Sequence, residues 1–372
     1  MPKTHVAVIG AGAFGGWTAL HLLRAGATVT LLDAWGAGNS RSSSGGETRI
    51  IRGTYGPDQP YTRMAARAMQ LWKENQERWG CRLFQPLGVL WMAADEEDDF
   101  ERASLPLLRE FGFPYEELST QDLKQRWPQI NVEDIRWAIY EPESGYLTAR
   151  TACQRVQQSF VEEGGNYRQL AVQGLRGSDG VRLSDGSKLV ADQYVFACGP
   201  WLGQLFPDIL GKRIVSTKQD VFFFGTPPGD DRFSEGKLPI WAHHRGRFLY
   251  GIPDHMGRGF KMAEDARGPV FDPTLGERIV DPETLMSIRD YLGFRFPAMR
   301  HAPLIETRVC QYENTSDRNL IIDRHPSAEN VWMVGGGSGH GFKHGPAVGE
   351  IVARLVLEGG DADPLFRLAR FS

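Results

Sequence analysis

Apolar positions along the chain follow two alternating periods. His5–Ile9 and Thr28–Leu32 are short β-branched and apolar runs, the pattern of strands buried in a parallel sheet. Between them, Gly16 to Ala25 places Trp17, Leu20 and Leu23 at helical spacing, with Gly26 as a stop. Pro57–Gly80 predicts a long amphipathic helix whose stripe of Tyr61, Met64, Ala68, Leu71, Trp72 and Trp79 faces a core. Phe84–Met92 reads as a strand leading into a separate layer. Asp98–Gly112, Thr120–Trp127 and Arg150–Glu163 read as helices, the last closed by Gly164-Gly165. Asn166–Cys198 alternates strand and turn, with Ser178-Asp179-Gly180 and Ser184-Asp185-Gly186 as hairpin punctuation. Ile214–Phe224, Arg247–Gly251, Arg258–Met262 and Val331–Val334 read as strands. Asp281-Pro282 is an N-cap and first-turn pair opening a helix to about Phe294, and a last helix starts near Gly345-Pro346 and runs to about Leu357.

The join between the first strand and first helix is Gly10-Ala11-Gly12-Ala13-Phe14-Gly15, and the second strand ends at Asp33. A strand, a GxGxxG turn, a helix and a strand ending in an acid roughly 20 residues on form a dinucleotide-binding unit. Gly10 and Gly12 let backbone pass close to a pyrophosphate, Gly15 lets the helix pack on the sheet, and the helix N-terminus holds the negative charge. Asp33 can accept from ribose hydroxyls. The motif alone does not choose FAD over NAD. The segment from Gly38 to Arg52, small and polar and then basic, suits either a solvated basic loop or backbone wrapped around a larger cofactor; Ser42, Ser43, Arg49 and Arg52 lie in it.

Charge and cysteine usage narrow the classes. Across 372 residues, 42 Lys and Arg face 46 Asp and Glu, a net charge of −4. That balance lacks the basic face a nucleic-acid partner requires. Cys81, Cys153, Cys198 and Cys310 are too widely spaced for a zinc knuckle or a redox CxxC, so no metal site and free thiols are expected. No apolar run reaches the roughly 20 residues of a membrane span. The apolar Val6–Ile9 after Lys3 is broken by Gly10 and Gly12 and is no signal peptide, so a cytoplasmic protein is expected. No repeat or low-complexity linker divides the chain, so two domains are expected to interleave.

The glycine turn, the Ser/Gly-rich stretch and Thr48-Arg49-Ile50-Ile51-Arg52 together resemble the monomeric sarcosine oxidase family, which includes N-methyltryptophan oxidase, within the wider D-amino-acid-oxidase-like flavoproteins. The resemblance returns at Tyr250-Gly251-Ile252-Pro253, at Gly259-Phe260-Lys261-Met262, and over Cys310–Gly349 with its run Gly335-Gly336-Gly337-Ser338-Gly339-His340-Gly341-Phe342-Lys343. It implies an α/β fold: a doubly wound, Rossmann-like FAD-binding domain over 1–85, 150–215 and 305–372, interleaved with a mixed-sheet α+β substrate domain over 86–149 and 216–304. Cofactor-facing positions implied are Gly10, Gly12, Ala13, Phe14, Gly15, Asp33, Ser42, Ser43, Arg49, Val172, Gly199, Trp201, Gly337, Gly339, His340, Gly341, Phe342 and Lys343. Cys310 matches the cysteine that forms a thioether to the flavin 8α-methyl; read without the resemblance it is a buried structural thiol. Lys261 matches the lysine that activates oxygen; read alone it is a surface lysine on a strand. Arg49 and Tyr250 are implied beside the flavin as catalytic groups, and Arg52 and Lys343 as the grip on a substrate carboxylate.

Two positions depart from the family pattern. Ser44 and Gly45 stand where a histidine pair precedes the Gly-Asp-Thr-Arg motif, and Asp265 stands where sarcosine oxidase has a histidine near the substrate. The implied activity is oxidation of the C–N bond of a carboxylate-bearing, secondary or cyclic amino acid to an imine, with O2 reduced to H2O2, by a monomer bearing covalent FAD. Alternatives are a flavin dehydrogenase passing electrons to another acceptor and a non-catalytic flavin-binding subunit.

Overall fold

The computed structural model describes residues 3–175 and 180–371, so Ser178 and Asp179 of the first expected hairpin turn lie outside the described residues. The buried run His5–Ile9 sits inside a six-stranded sheet with the order Ile321–His325, Ala328–Gly335, Gln193–Phe196, His5–Ile9, Thr28–Leu32 and Asn166–Arg168. Its pairings are parallel except that Ile321–His325 and Ala328–Gly335 form an antiparallel edge. Helix Ala13–Arg24 packs between Gly345–Glu358 and Ala149–Glu162. The first of these contacts depends on Gly349, where a Cβ would meet the backbone carbon of Trp17 at 2.7 Å. The first helix begins at Ala13 rather than Gly16, because the third glycine of the turn lies inside its first turn.

A second, eight-stranded sheet has the order Leu304–Asn314, Val215–Phe224, Phe260–Glu264, Arg247–Ile252, Ile240–Arg245, Val89–Ala93, Trp137–Glu141 and Glu116–Ser119. Helix Pro282–Arg295 opens as expected, with Asp281 Oδ2 accepting from Thr284 N at 2.9 Å. Phe222, Phe224, Trp241, Phe260 and Phe296 form this sheet's own core, separate from that of Val8, Trp17, Leu31 and Trp332.

Three expectations change. Phe84–Met92 is not one strand. Phe84–Gln85 pairs in a three-stranded sheet with Gly145–Thr148, which also pairs with Thr48–Ile51, while Val89–Ala93 joins the large sheet. Pro86 cannot donate to a ladder, and Gly88 at φ 82° turns the chain between them. The basic end of the expected polar loop is therefore the strand Thr48–Ile51. Finally, Leu304–Asn314, assigned by sequence to the return into the dinucleotide-binding domain near residue 305, pairs along its length with Val215–Phe224, so the eight-stranded sheet extends to Asn314. No helix among the described residues is long and apolar enough to cross a membrane.

Candidate cofactor and substrate site

The carboxyl ends of the parallel strands open into a cavity of about 320 Å³, within the range of small-ligand sites. Gly10 has φ 103°, and a Cβ there would lie 2.3 Å from the Ala197 carbonyl oxygen; one at Gly15 would lie 1.8 Å from that of Gly10. No other residue fits either place. Gly12, Ala13 and Phe14 bring the N-terminus of the first helix to the cavity wall, where its free N–H groups favour an anion. Asp33 accepts from Ala11 N at 2.8 Å through Oδ2, and from Trp35 N at 2.9 Å and Gly36 N at 2.8 Å through Oδ1. Burial raises its carboxyl while these donors pull it down. Oδ2, with one N–H, keeps acceptor capacity for a sugar hydroxyl. Ser43 Oγ lines the cavity, buried and without a partner among the described residues.

A second cavity, of about 90 Å³, lies against the face of the eight-stranded sheet. Arg49, Tyr312, Gly339 and Phe342 line both cavities and form their common wall. Lys261, 4% exposed, donates from Nζ to Thr48 O at 3.0 Å and Thr48 Oγ1 at 3.2 Å. Burial, reinforced by the Arg49 charge, lowers its pKa to about 7. Lys343 donates to the Tyr55 hydroxyl at 2.9 Å and His340 O at 2.8 Å. Burial and then Arg52 hold it well below the usual lysine range. Arg52 is sandwiched, its guanidinium carbon 4.0 Å from the Tyr55 ring centroid and 4.7 Å from that of Trp91. Arg49 donates to Thr48 O at 2.8 Å, Ser43 O at 2.7 Å and Cys310 Sγ at 3.2 Å. Against the two guanidinium groups and the two lysines stands Asp265, which accepts from Arg318 Nη2 at 3.1 Å. Asp220 and Glu264 on the same wall are engaged by Lys218 and Arg247. The cavity thus carries cationic capacity that its own acids do not absorb.

The sequence-predicted residues divide between the two cavities, with Arg49, Gly339 and Phe342 lining both. Gly10, Gly12, Ala13, Phe14, Asp33, Ser42, Ser43, Val172, Gly199, Trp201, Gly337, Gly339, Gly341 and Phe342 line the larger cavity. Arg49, Arg52, Tyr250, Lys261, Asp265, Cys310, His340 and Lys343 line the smaller one. Gly15 lines neither and serves packing, while His340 and Lys343, expected against the cofactor, stand on the smaller cavity's side. Sequence reasoning missed Tyr55, His344 and Glu313. Tyr55 accepts from Lys343 and meets His344 Nε2 at 2.6 Å, partners nearly the length of the chain away that no local pattern announces.

The profile of the DAO family, FAD dependent oxidoreductases, matches residues 5–355. The chain belongs to this family. It is similar to the monomeric sarcosine oxidase of Streptomyces avermitilis, with 30% identity covering 98% of this chain and 96% of that protein. It is also similar to the N-methyl-L-tryptophan oxidase of Yersinia pestis, with 28% identity covering 98% of each. Among solved structures, the L-proline dehydrogenase from P. horikoshii superposes with a TM-score of 0.86 at 23% identity, covering 100% of this chain and 98% of that one. A modified fructosyl peptide oxidase from Aspergillus nidulans gives 0.83 at 22%, covering 99% and 94%. Both show the same fold. The resemblance read at the two ends of the sequence therefore runs the length of the chain, which is an FAD-dependent oxidoreductase of the sarcosine oxidase type. The larger cavity fits FAD: the N-terminus of the first helix and Asp33 stand on its wall, and Ser43, another lining residue, has a hydroxyl without a partner among the described residues.

Proposed function

We propose that the protein oxidises the C–N bond of a carboxylate-bearing amine, a secondary or cyclic amino acid, to the imine, and passes the electrons to O2 to give H2O2. The observation that supports this is the shared wall: Arg52, Lys343, Lys261 and Cys310 line one small cavity that meets the cofactor cavity at Arg49, Tyr312, Gly339 and Phe342. Bound FAD supplies the chemistry, accepting a hydride equivalent from the amine and returning two electrons to oxygen.

The chain's own residues do the rest. Arg52, locked between two aromatic rings, grips one carboxylate, and the Lys343 amine, held by its bond to Tyr55, adds a further donor. With the carboxylate fixed, the amine lies beside Arg49 and Lys261, whose positive charge disfavours an ammonium and leaves the nitrogen neutral and oxidisable. Lys261, fixed by two bonds to Thr48, places an ammonium where negative charge develops on oxygen. Asp265 and Arg318 form an ion pair on the same wall; a polar substituent meets that pair rather than a bare carboxylate. Cys310, whose Sγ accepts from Arg49 Nη2 at 3.2 Å, is the residue that would attach the flavin. Such a thioether would hold the flavin in place, with O2 as the oxidant its formation requires.

The test is peroxide formation in air with N-methyl and cyclic amino acids, each paired with the same amine lacking its carboxyl group. Peroxide from the acids alone is expected. Equal turnover of the decarboxylated amines makes the enzyme a plain amine oxidase. Flavin reduction without peroxide makes it a dehydrogenase.

A further inference from the structure

Glu313 lies near the end of the strand Leu304–Asn314, 6% exposed, on the wall of the larger cavity. Its Oε1 accepts from Gly337 N at 3.2 Å. Its Oε2 is buried and has no partner among the described residues. No Lys or Arg pairs with it there, and burial raises its carboxyl to about 7. A Cβ added at Gly199 or Gly335 would come within 3.6 Å of Oε2, and one at Gly337 within 3.1 Å of Oε1. The carboxyl is therefore packed into the glycine turns that end the strands Gln193–Phe196 and Ala328–Gly335. A buried acceptor of this kind is costly unless something donates to it.

The sheet order says what donates. From Asp33 at the end of Thr28–Leu32, the strand ends run in order through Gly10, then Gly199, then Gly335. A dinucleotide with its adenosine ribose at Asp33 and its pyrophosphate at the first helix N-terminus crosses the last two ends before its ring reaches the wall of Arg49, Tyr312 and Phe342. In FAD the part spanning that interval is the ribityl chain, an uncharged run of hydroxyl donors. A phosphate beside Glu313 would be repelled; hydroxyls complement it.

We propose that Glu313 positions the ribityl chain of FAD, its carboxylate accepting hydrogen bonds from the chain's hydroxyls. The inference rests on the family's cofactor and is independent of the substrate oxidised. The test uses the full chain carrying Cys310→Ala, so that flavin exchanges freely, stripped of flavin. Affinity is read by flavin fluorescence quenching for FAD and for FAD analogues each lacking one ribityl hydroxyl. Glu313→Ala should weaken FAD binding at least tenfold, the scale of one charged hydrogen bond. At least one deoxy analogue should bind about tenfold more weakly than FAD to the parent, yet as well as FAD to Glu313→Ala. Glu313→Gln, equal in size and still an acceptor, should recover part of the loss. If Glu313→Ala does not fold by circular dichroism, the same comparison between parent and Glu313→Gln decides. FAD binding unchanged by the substitution, or every analogue losing the same factor in parent and variant, overturns the assignment.

Discussion

Replacing Lys261 with Met keeps the length of the side chain and removes its charge from the wall of the smaller cavity. At about 4 Å and an effective dielectric of 20, two unit charges interact by about 4 kcal/mol, which corresponds to roughly three orders of magnitude in rate. Removal of one preorganised electrostatic donor from other active sites costs about 10²–10³. The two figures agree, so reoxidation of reduced enzyme by O2 should slow by at least a hundredfold in Lys261→Met, while anaerobic reduction by substrate changes little. The assay is stopped-flow absorbance of the flavin, with the two half-reactions measured separately. The pH dependence sharpens it. With the Lys261 pKa lowered to about 7 by burial and then by Arg49, the ammonium is present below that value and lost above it. Parent reoxidation should therefore fall as pH rises through this region, shifted upward by any anion bound beside the lysine, and the Met variant should be flat. Equal reoxidation rates in parent and variant across that range would refute the role.

The same shift makes an independent statement about stability. Moving a lysine from 10.5 to about 7 places on the order of 5 kcal/mol against the charged form. Between those two values the unfolded chain holds a proton that the folded chain does not, so stability rises with pH across that window, and the whole cost is present below pH 7. Flavin-free Lys261→Met should lack this slope and melt higher than the parent at pH 6. A lower melting temperature in the variant would mean that the bonds to Thr48 outweigh the burial.

Three further outcomes are expected. Acid-denatured protein run on a gel under ultraviolet light should show a fluorescent band that Cys310→Ala lacks; flavin wholly in the soluble fraction would remove the covalent assignment. Arg52→Ala and Lys343→Ala should each weaken binding of simple carboxylate inhibitors, read from the flavin spectrum, at least tenfold, and equal binding would show that neither residue grips the substrate. Gly10→Ala places a Cβ 2.3 Å from Ala197 O at φ 103°, so it should lose at least about 2 kcal/mol of stability and most of its flavin content; normal flavin content would show that the turn has slack.

Local chemistry was legible and distant partnership was not. The turn from Gly10 to Gly15 and the acid at Asp33 could be read because the sterics of a few consecutive residues decide them. The strand Thr48–Ile51 could not: its partner Gly145–Thr148 lies about a hundred residues on, and a polar sequence gives no hint of that pairing. Lys261 read alone is a surface lysine because alternation is the expected pattern of a strand, yet Phe260, Lys261, Met262 and Ala263 are all buried, since both faces of this strand are covered. Only the neighbouring match to a family reversed that reading. Arg52 was placed near the substrate by the same match, but its rigidity comes from Trp91, a residue of the other sheet. Glu313 was passed over because one acid in a strand is ordinary until the glycines of two turns close around it.

The arrangement divides the work between two sheets. The six-stranded sheet meets the cofactor through backbone and glycine, so its contribution depends on conformations that few substitutions preserve. The eight-stranded sheet lines the smaller cavity with side chains standing on strands, including Lys261 and Tyr250, which can change identity without moving the strands beneath them. The strand Leu304–Asn314 belongs to the second sheet by hydrogen bonding, but it reaches the first with Tyr312 and Glu313, while Cys310 faces the smaller cavity. The far wall around Asp265 and Phe248 can therefore vary without reshaping the larger cavity. Arg49, Tyr312 and Phe342 line both cavities, so a change at any of them reshapes the two together.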